Sequence, residues 1–81
     1  MTEKEALDVV KDAVRGIVPD ADFTRIAPDD RFRDALELDS LDFLTLVEDL
    51  VNRTGCRIDE DDYPRLATLA GAAALLAERA P

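Results

Sequence analysis

Ser40 is the residue best placed to do chemistry. It lies in the run Leu38-Asp39-Ser40-Leu41-Asp42-Phe43-Leu44, where an irregular stretch gives way to a helical pattern. A hydroxyl at the start of a helix projects beside backbone N–H groups that lack partners within the helix, and those groups favour a phosphate. The residues that would make this serine a hydrolytic nucleophile are missing. The chain has no histidine to take the hydroxyl proton. A serine–lysine pair would have to recruit Lys4 or Lys11, both on the outer part of the first predicted helix.

Other self-contained chemistry fails on the same kind of count. One cysteine and no histidine cannot furnish a usual zinc site. Asp59-Glu60-Asp61-Asp62 is like a calcium loop only in composition. Pro64 stands where that loop requires glycine, and no glutamate occupies its twelfth position. An acidic helix start is the better reading of those four residues. No glycine-rich phosphate loop is present. What remains is a serine that another enzyme modifies.

The elements that position Ser40 can be read from periodicity. Thr2-Glu3-Lys4-Glu5 has the form of a capping box, and Leu7, Val10, Val14 and Ile17 then make one apolar stripe. Gly16 and Pro19 predict an end near residue 16. From Val18 to Leu38 the pattern breaks around Pro19, Pro28 and the pairs Asp20/Asp22 and Asp29/Asp30, with single apolar residues at Phe23, Ile26, Phe32, Leu36 and Leu38. That spacing suits a long loop strapped across a core, and a loop of such length is often functional. A second helix is expected from Ser40 to Asn52 or Arg53, with Asp39 as N-cap, Asp42 three residues on, and Gly55 as the stop. Its apolar face is expected to hold Phe43, Leu44, Val47, Leu50 and Val51, with Asp42, Thr45, Asp49 and Arg53 opposite and Leu41 and Glu48 on the flank. A short helical turn capped by Asp59 and broken at Pro64 follows, then a last helix from about Thr68 to Glu78 or Arg79. Gly71 within that alanine-rich helix costs about 1 kcal/mol relative to alanine, which points to a close helix contact. The expected fold is all-α: three main helices, one short third helix and a long first loop.

Composition narrows the partners. At 81 residues there is room for a single domain, 1–81. Aliphatic residues must fill the core, because aromatics are only 5% of the chain, and this suits a helical bundle better than a β-sandwich. Nineteen acidic against ten basic residues give a net charge of −9, which argues against nucleic acid and anionic membrane surfaces and favours basic patches on partner proteins. Cys56 alone allows no internal disulfide and reads as a buried structural thiol, so a reducing cytoplasm is the expected setting. The first residues lack the pattern of a signal peptide, and the longest nearly continuous apolar stretch, Leu69 to Ala77, is too short to span a bilayer.

With these residues in place the chain resembles the acyl carrier proteins. Their segment runs from an acidic residue and phenylalanine through leucine and glycine to Asp-Ser-Leu and an apolar-acidic helix. Here Asp30, Phe32, Asp34, Leu36, Asp39, Ser40, Leu41 and Asp42 stand in that order, followed by Val47-Glu48-Asp49-Leu50, with Ile58, the acidic short helix and Thr68-Leu69 further on. Two positions depart from the pattern. Glu37 replaces the usual glycine, and Tyr63-Pro64-Arg65-Leu66 is not the commonest third helix.

The resemblance implies a four-helix bundle of acyl-carrier type and no enzymatic activity of its own. It implies that a phosphopantetheinyl transferase moves a 4′-phosphopantetheine arm from coenzyme A to Ser40, with Asp39 and Leu41 beside the attachment. Acyl groups would then travel as thioesters of that arm to the enzymes of fatty-acid, polyketide or related biosynthesis, where partners supply the later chemistry. Glu37, Asp42, Glu48 and Asp49 belong to a run from Asp34 to Asp49 with six acids and no base, which suits weak, fast docking of a monomeric shuttle on basic patches. Leu41 is expected to touch those partners, and Phe43, Leu44 and Val47 are assigned to a core with room to line an acyl chain. Two other readings stand beside this one: an aminoacyl or peptidyl carrier loaded by an adenylating enzyme, and an unmodified acidic helical module.

Overall fold

The computed structural model describes residues 1–80, and among them every regular element is helical. Helix α1 spans Glu3–Ile17, α2 is a single turn at Phe32–Ala35, α3 spans Ser40–Thr54, a 3₁₀ helix covers Glu60–Ala67, and α4 spans Leu69–Arg79. The bundle is the expected one, with the 3₁₀ helix as its short third member and α2 added inside the long loop.

Local sequence chemistry sets the ends of each helix. Thr2 Oγ1 accepts from the Glu5 N–H at 3.1 Å, and the Glu5 carboxylate accepts from the Thr2 N–H at 2.9 Å, closing the capping box of α1. The α1 helix runs to Ile17, one residue past the expected end, because Gly16 sits in open space and does not itself stop the helix. Gly55 ends α3 in the left-handed region at φ +73°, its N–H donating to the Val51 carbonyl at 2.8 Å. Thr68 caps α4, its hydroxyl accepting from the Gly71 N–H at 3.0 Å.

The core lies between α1, α3 and α4. Ala6, Val10, Ala13 and Val14 of α1 are buried against Leu69, Ala72, Ala73, Leu75 and Leu76 of α4 and against α3. The small residues let α1 and α4 approach closely, while leucines fill the gaps. Cys56 is buried, its thiol pointing at the Leu76 carbonyl at 3.9 Å. The long loop is strapped down as its isolated apolar residues predict: Ile26, Phe32 and Leu38 are buried in the same core. It is also tied to the head of α4. The Pro28 carbonyl accepts from the Ala70 N–H at 2.8 Å, and Arg31 makes an antiparallel bridge with Thr68. The loop thereby satisfies one of α4's otherwise free N–H groups.

Two expectations change. The α3 helix buries Phe43, Leu46, Val47 and Leu50, whereas Leu44 is 44% exposed and Val51 only partly buried. Its core face is turned by about 50° from the expected one, because α3 packs on α1 and that contact takes Leu46 in place of Leu44. The short helix does not break at Pro64 but winds through it to Ala67. Proline's ring clashes with the carbonyl four residues back in an α-helix, and the tighter 3₁₀ winding avoids that alignment at the loss of one N–H donor. Gly71 is explained as expected. A Cβ there would run into the Arg65 carbonyl oxygen, so glycine lets the 3₁₀ helix lie directly on α4.

Candidate functional site

Two local devices place Ser40. The first is the short helix α2, which ends in a Schellman arrangement: the Glu37 N–H donates to the Asp34 carbonyl at 3.3 Å and the Leu38 N–H to the Arg33 carbonyl at 2.9 Å. Glu37 occupies the left-handed position of this motif at φ +55°, among the described residues the one non-glycine with positive φ. Glycine is the residue that adopts this conformation without strain, which gives the physical reason for the glycine that Glu37 replaces. The chain reverses here, buries Leu38 and emerges at Asp39.

The second device is the head of α3. Asp39 is the N-cap, its Oδ1 accepting from the Asp42 N–H at 2.8 Å, while Asp42 Oδ2 accepts from the Asp39 N–H at 3.3 Å. The Phe43 N–H is satisfied by the Asp39 carbonyl at 3.0 Å. This box uses two of the helix's orphan donors. The N–H groups of Ser40 and Leu41 have no acceptor among the described residues. They lie beside the Ser40 hydroxyl, which is exposed. The arrangement is a nucleophilic oxygen next to two free donors at the positive end of a fifteen-residue helix. A phosphodiester on Ser40 Oγ would be met by those donors, so the residues present fit a phosphate-linked arm. Asp39 is committed to capping, and Lys4 and Lys11 both lie on α1, the latter 5.7 Å from the centre of the Phe23 ring.

The remaining expected site residues fall into two strips. Leu41 is 74% exposed, on the side of α3 opposite its core. Leu44 and Glu48, three and seven residues on, share that side, and all three are exposed. Glu37 is exposed on the turn before. Asp42 and Asp49 lie on the other flank, and both are partly engaged: Asp42 in the cap, Asp49 with Arg53 Nε at 2.8 Å. Sequence reasoning missed Leu44 by counting it into the core. The signal was an excess of apolar residues in the first turns of α3, more than one stripe can bury.

Of the residues assigned to line an acyl chain, Phe43 lines a cleft. That cleft, about 340 Å³, lies between α2, the start of α3 and the 3₁₀ helix, with Leu38, Phe43, Tyr63, Pro64 and Ala67 among its walls. Val47 is buried in the core and Leu44 faces solvent.

Comparison with known proteins agrees with this geometry. Residues 7–76 match the family model described as the phosphopantetheine attachment site. The chain is 34% identical over 76 residues to an acyl carrier protein of Streptomyces coelicolor, covering 94% of this chain and 83% of that one. It is 35% identical over 69 residues to an acyl carrier protein of Lactobacillus johnsonii, covering 85% of each. No solved structure gives a significant match. A helical bundle with a free serine hydroxyl at a helix head, matched along most of its length to these carriers, belongs to the acyl carrier protein family: it is a carrier of covalent 4′-phosphopantetheine and not a catalyst.

Proposed function

We propose that Ser40 is the attachment point of the arm, and that the chain, as one domain over 1–81 and as a monomer in the cytoplasm, presents acyl thioesters to the enzymes of fatty-acid, polyketide or related biosynthesis. The observation that carries this reading is the exposed Ser40 hydroxyl beside the two free N–H groups left by the Asp39–Asp42 box. A phosphopantetheinyl transferase supplies the general base and the metal. Ser40 Oγ forms the new P–O bond, the pyrophosphate P–O bond of coenzyme A breaks with release of adenosine 3′,5′-bisphosphate, and the hydroxyl proton passes to the transferase. When bound, the arm supplies a terminal thiol that holds the acyl group as a thioester.

Docking uses the exposed strip Leu41, Leu44 and Glu48, with Glu37 and the outward edge of Asp42 as charges, against a partner with an apolar pocket rimmed by basic residues. The two leucines give contact area, and the acids raise the encounter rate without slow release. Asp49 contributes less, because Arg53 already neutralises it.

The test is the intact mass of the protein after incubation with coenzyme A and a broad-specificity transferase. The expected result is a gain of one phosphopantetheine in the wild type and none in Ser40→Ala. A wild-type protein that gains nothing from several transferases refutes the assignment.

A further inference from the structure

The cleft beside Ser40 carries charge of the wrong sign for its surroundings. In a chain of net charge −9, its lining includes Arg31 and Arg33, with Asp34 as the single acid. Six arginines elsewhere are closed into ion pairs: Arg15, Arg25, Arg53, Arg57, Arg65 and Arg79. Arg31 and Arg33 are not, since neither has a carboxylate within 4 Å among the described residues. The Arg33 guanidinium carbon instead sits over the Phe43 ring, 4.3 Å from its centre, and Tyr63 meets the same ring edge-on at 5.2 Å. The cleft is a slot with an aromatic floor and a cationic lip.

The slot also borders the attachment point, so an arm folded back on the protein brings its cargo there. Its wall residues Leu38 and Phe43 bracket Ser40 by two positions and three. Phe43 lies one helical turn, about 5 Å along the axis, from the attachment point. The core itself is filled, with Phe32, Leu50 and Leu66 essentially inaccessible. The apolar walls suit the methylenes of any chain, but a methyl end gains nothing from the two arginines. A carboxylate gains a planar, two-pronged donor already held in place by stacking. The acidic α3 face, by contrast, repels it.

We infer that this cleft seats the free carboxylate of a dicarboxylic half-thioester, so that the carrier retains carboxyacyl cargo against Arg31 and Arg33. The inference rests on Ser40 being the attachment point and specifies the cargo class for that site.

The test loads Ser40 in three forms with the transferase: the bare arm, a butyryl arm and a succinyl arm, the last two of equal chain length. The occupancy of each is first verified by intact mass. Amide and arginine Nε–H spectra are then compared. The expected result is displacement of the Arg31 and Arg33 side-chain signals, and of the Phe43 and Tyr63 amides, by the succinyl form alone. The displacement shrinks as salt is raised and is lost in Arg33→Gln. Arg31→Gln, which leaves the ring stack intact, weakens it independently. Equal displacement by butyryl makes the cleft an apolar subsite and overturns the inference. Equal displacement by the bare arm assigns the anion to the arm's own phosphate and also overturns it. A loaded protein with no displacement overturns the inference and leaves attachment standing, whereas a protein that accepts no arm overturns both.

Discussion

The heads of α3 and of the 3₁₀ helix begin with the same acid spacing, Asp39-x-x-Asp42 and Asp59-x-x-Asp62, and in each the second aspartate accepts from the N–H of the first, at 3.3 and 2.9 Å. From there they diverge. Asp62 receives both guanidinium nitrogens of Arg79 at 2.6 and 2.9 Å, while Arg79 also donates to the Arg57 carbonyl at 3.0 Å. The last turn of α4 is thereby tied back to the 3₁₀ helix, a link repeated by Arg65 and Glu78. Asp42 has no such cation among the described residues and shares the head of α3 with the exposed Ser40. One spacing thus does two jobs. Where a cation closes it, the acid holds helices together; where none does, the charge stays available to a partner.

The clamped corner should be the one that breaks the fold. It holds a close backbone approach, at Gly71 against the Arg65 carbonyl. Gly71→Ala gains helix propensity yet forces the two helices apart, and a net loss of about 1–3 kcal/mol is expected from urea unfolding. The folded fraction should still accept the arm at Ser40, because the head of α3 is not touched. A Gly71→Ala protein as stable as the wild type would mean that the 3₁₀ helix yields freely.

Acid should separate the two heads next. The Arg79 guanidinium, with the Asp59 N–H behind it, lowers the Asp62 carboxyl from its ordinary 3.8 to about 2. A carboxyl with a depressed folded pKa contributes stability that is fully present above its unfolded pKa and is lost as pH falls through the folded one. The clamp therefore weakens between about pH 4 and pH 2. Thermal melts of Asp62→Asn should lie below those of the wild type at pH 7, and the gap should narrow across that window. Parallel melting curves from pH 6 to 2 would remove Asp62 from the acid response.

Much of this division was legible in the residues, and what was not has physical causes. Capping is local chemistry, so Thr2, Asp39, Gly55 and Thr68 could be placed from their neighbours alone. The singly spaced Phe32 and Leu38 likewise announced a loop strapped to a core. The phase of α3 could not be read, since Leu44 and Leu46 are equally apolar and only packing on α1 decides which is buried. Helix α2 was hidden because its stop signal is a glutamate where glycine normally marks a left-handed turn. The Asp62–Arg79 clamp joins residues 17 apart in sequence, beyond what periodicity reports. Ser40 itself was visible from type and position, but its two free donors follow from how the Asp39–Asp42 box closes.

At the open head the expected effect is on rate and not on the fold. Asp42→Asn keeps an oxygen for the Asp39 N–H and removes the charge, so melting should barely move. The transferase kcat/KM should fall a few-fold at low salt and converge on the wild type as salt is raised. Asp49→Asn, whose charge Arg53 already offsets, should change it less. Equal effects of the two substitutions would show that docking senses net charge and not the place of each acid.

Glu37 sharpens the comparison at its finest scale, because backbone and charge pull apart at one residue. Its left-handed conformation at φ +55° strains a residue that has a Cβ, and its carboxylate adds to the open acidic face. Glu37→Gly relieves the strain and frees more chain entropy in the unfolded state, leaving a gain of about 0.5–1 kcal/mol. Glu37→Gln keeps the strain and removes only the charge. Both variants should slow the transferase by the same small factor at low salt, while only the glycine variant melts higher. A glycine variant that melts lower would show that the Glu37 side chain holds the turn before Ser40. A glycine variant that also reacts faster than the glutamine one would show that the turn must flex for the hydroxyl to be reached.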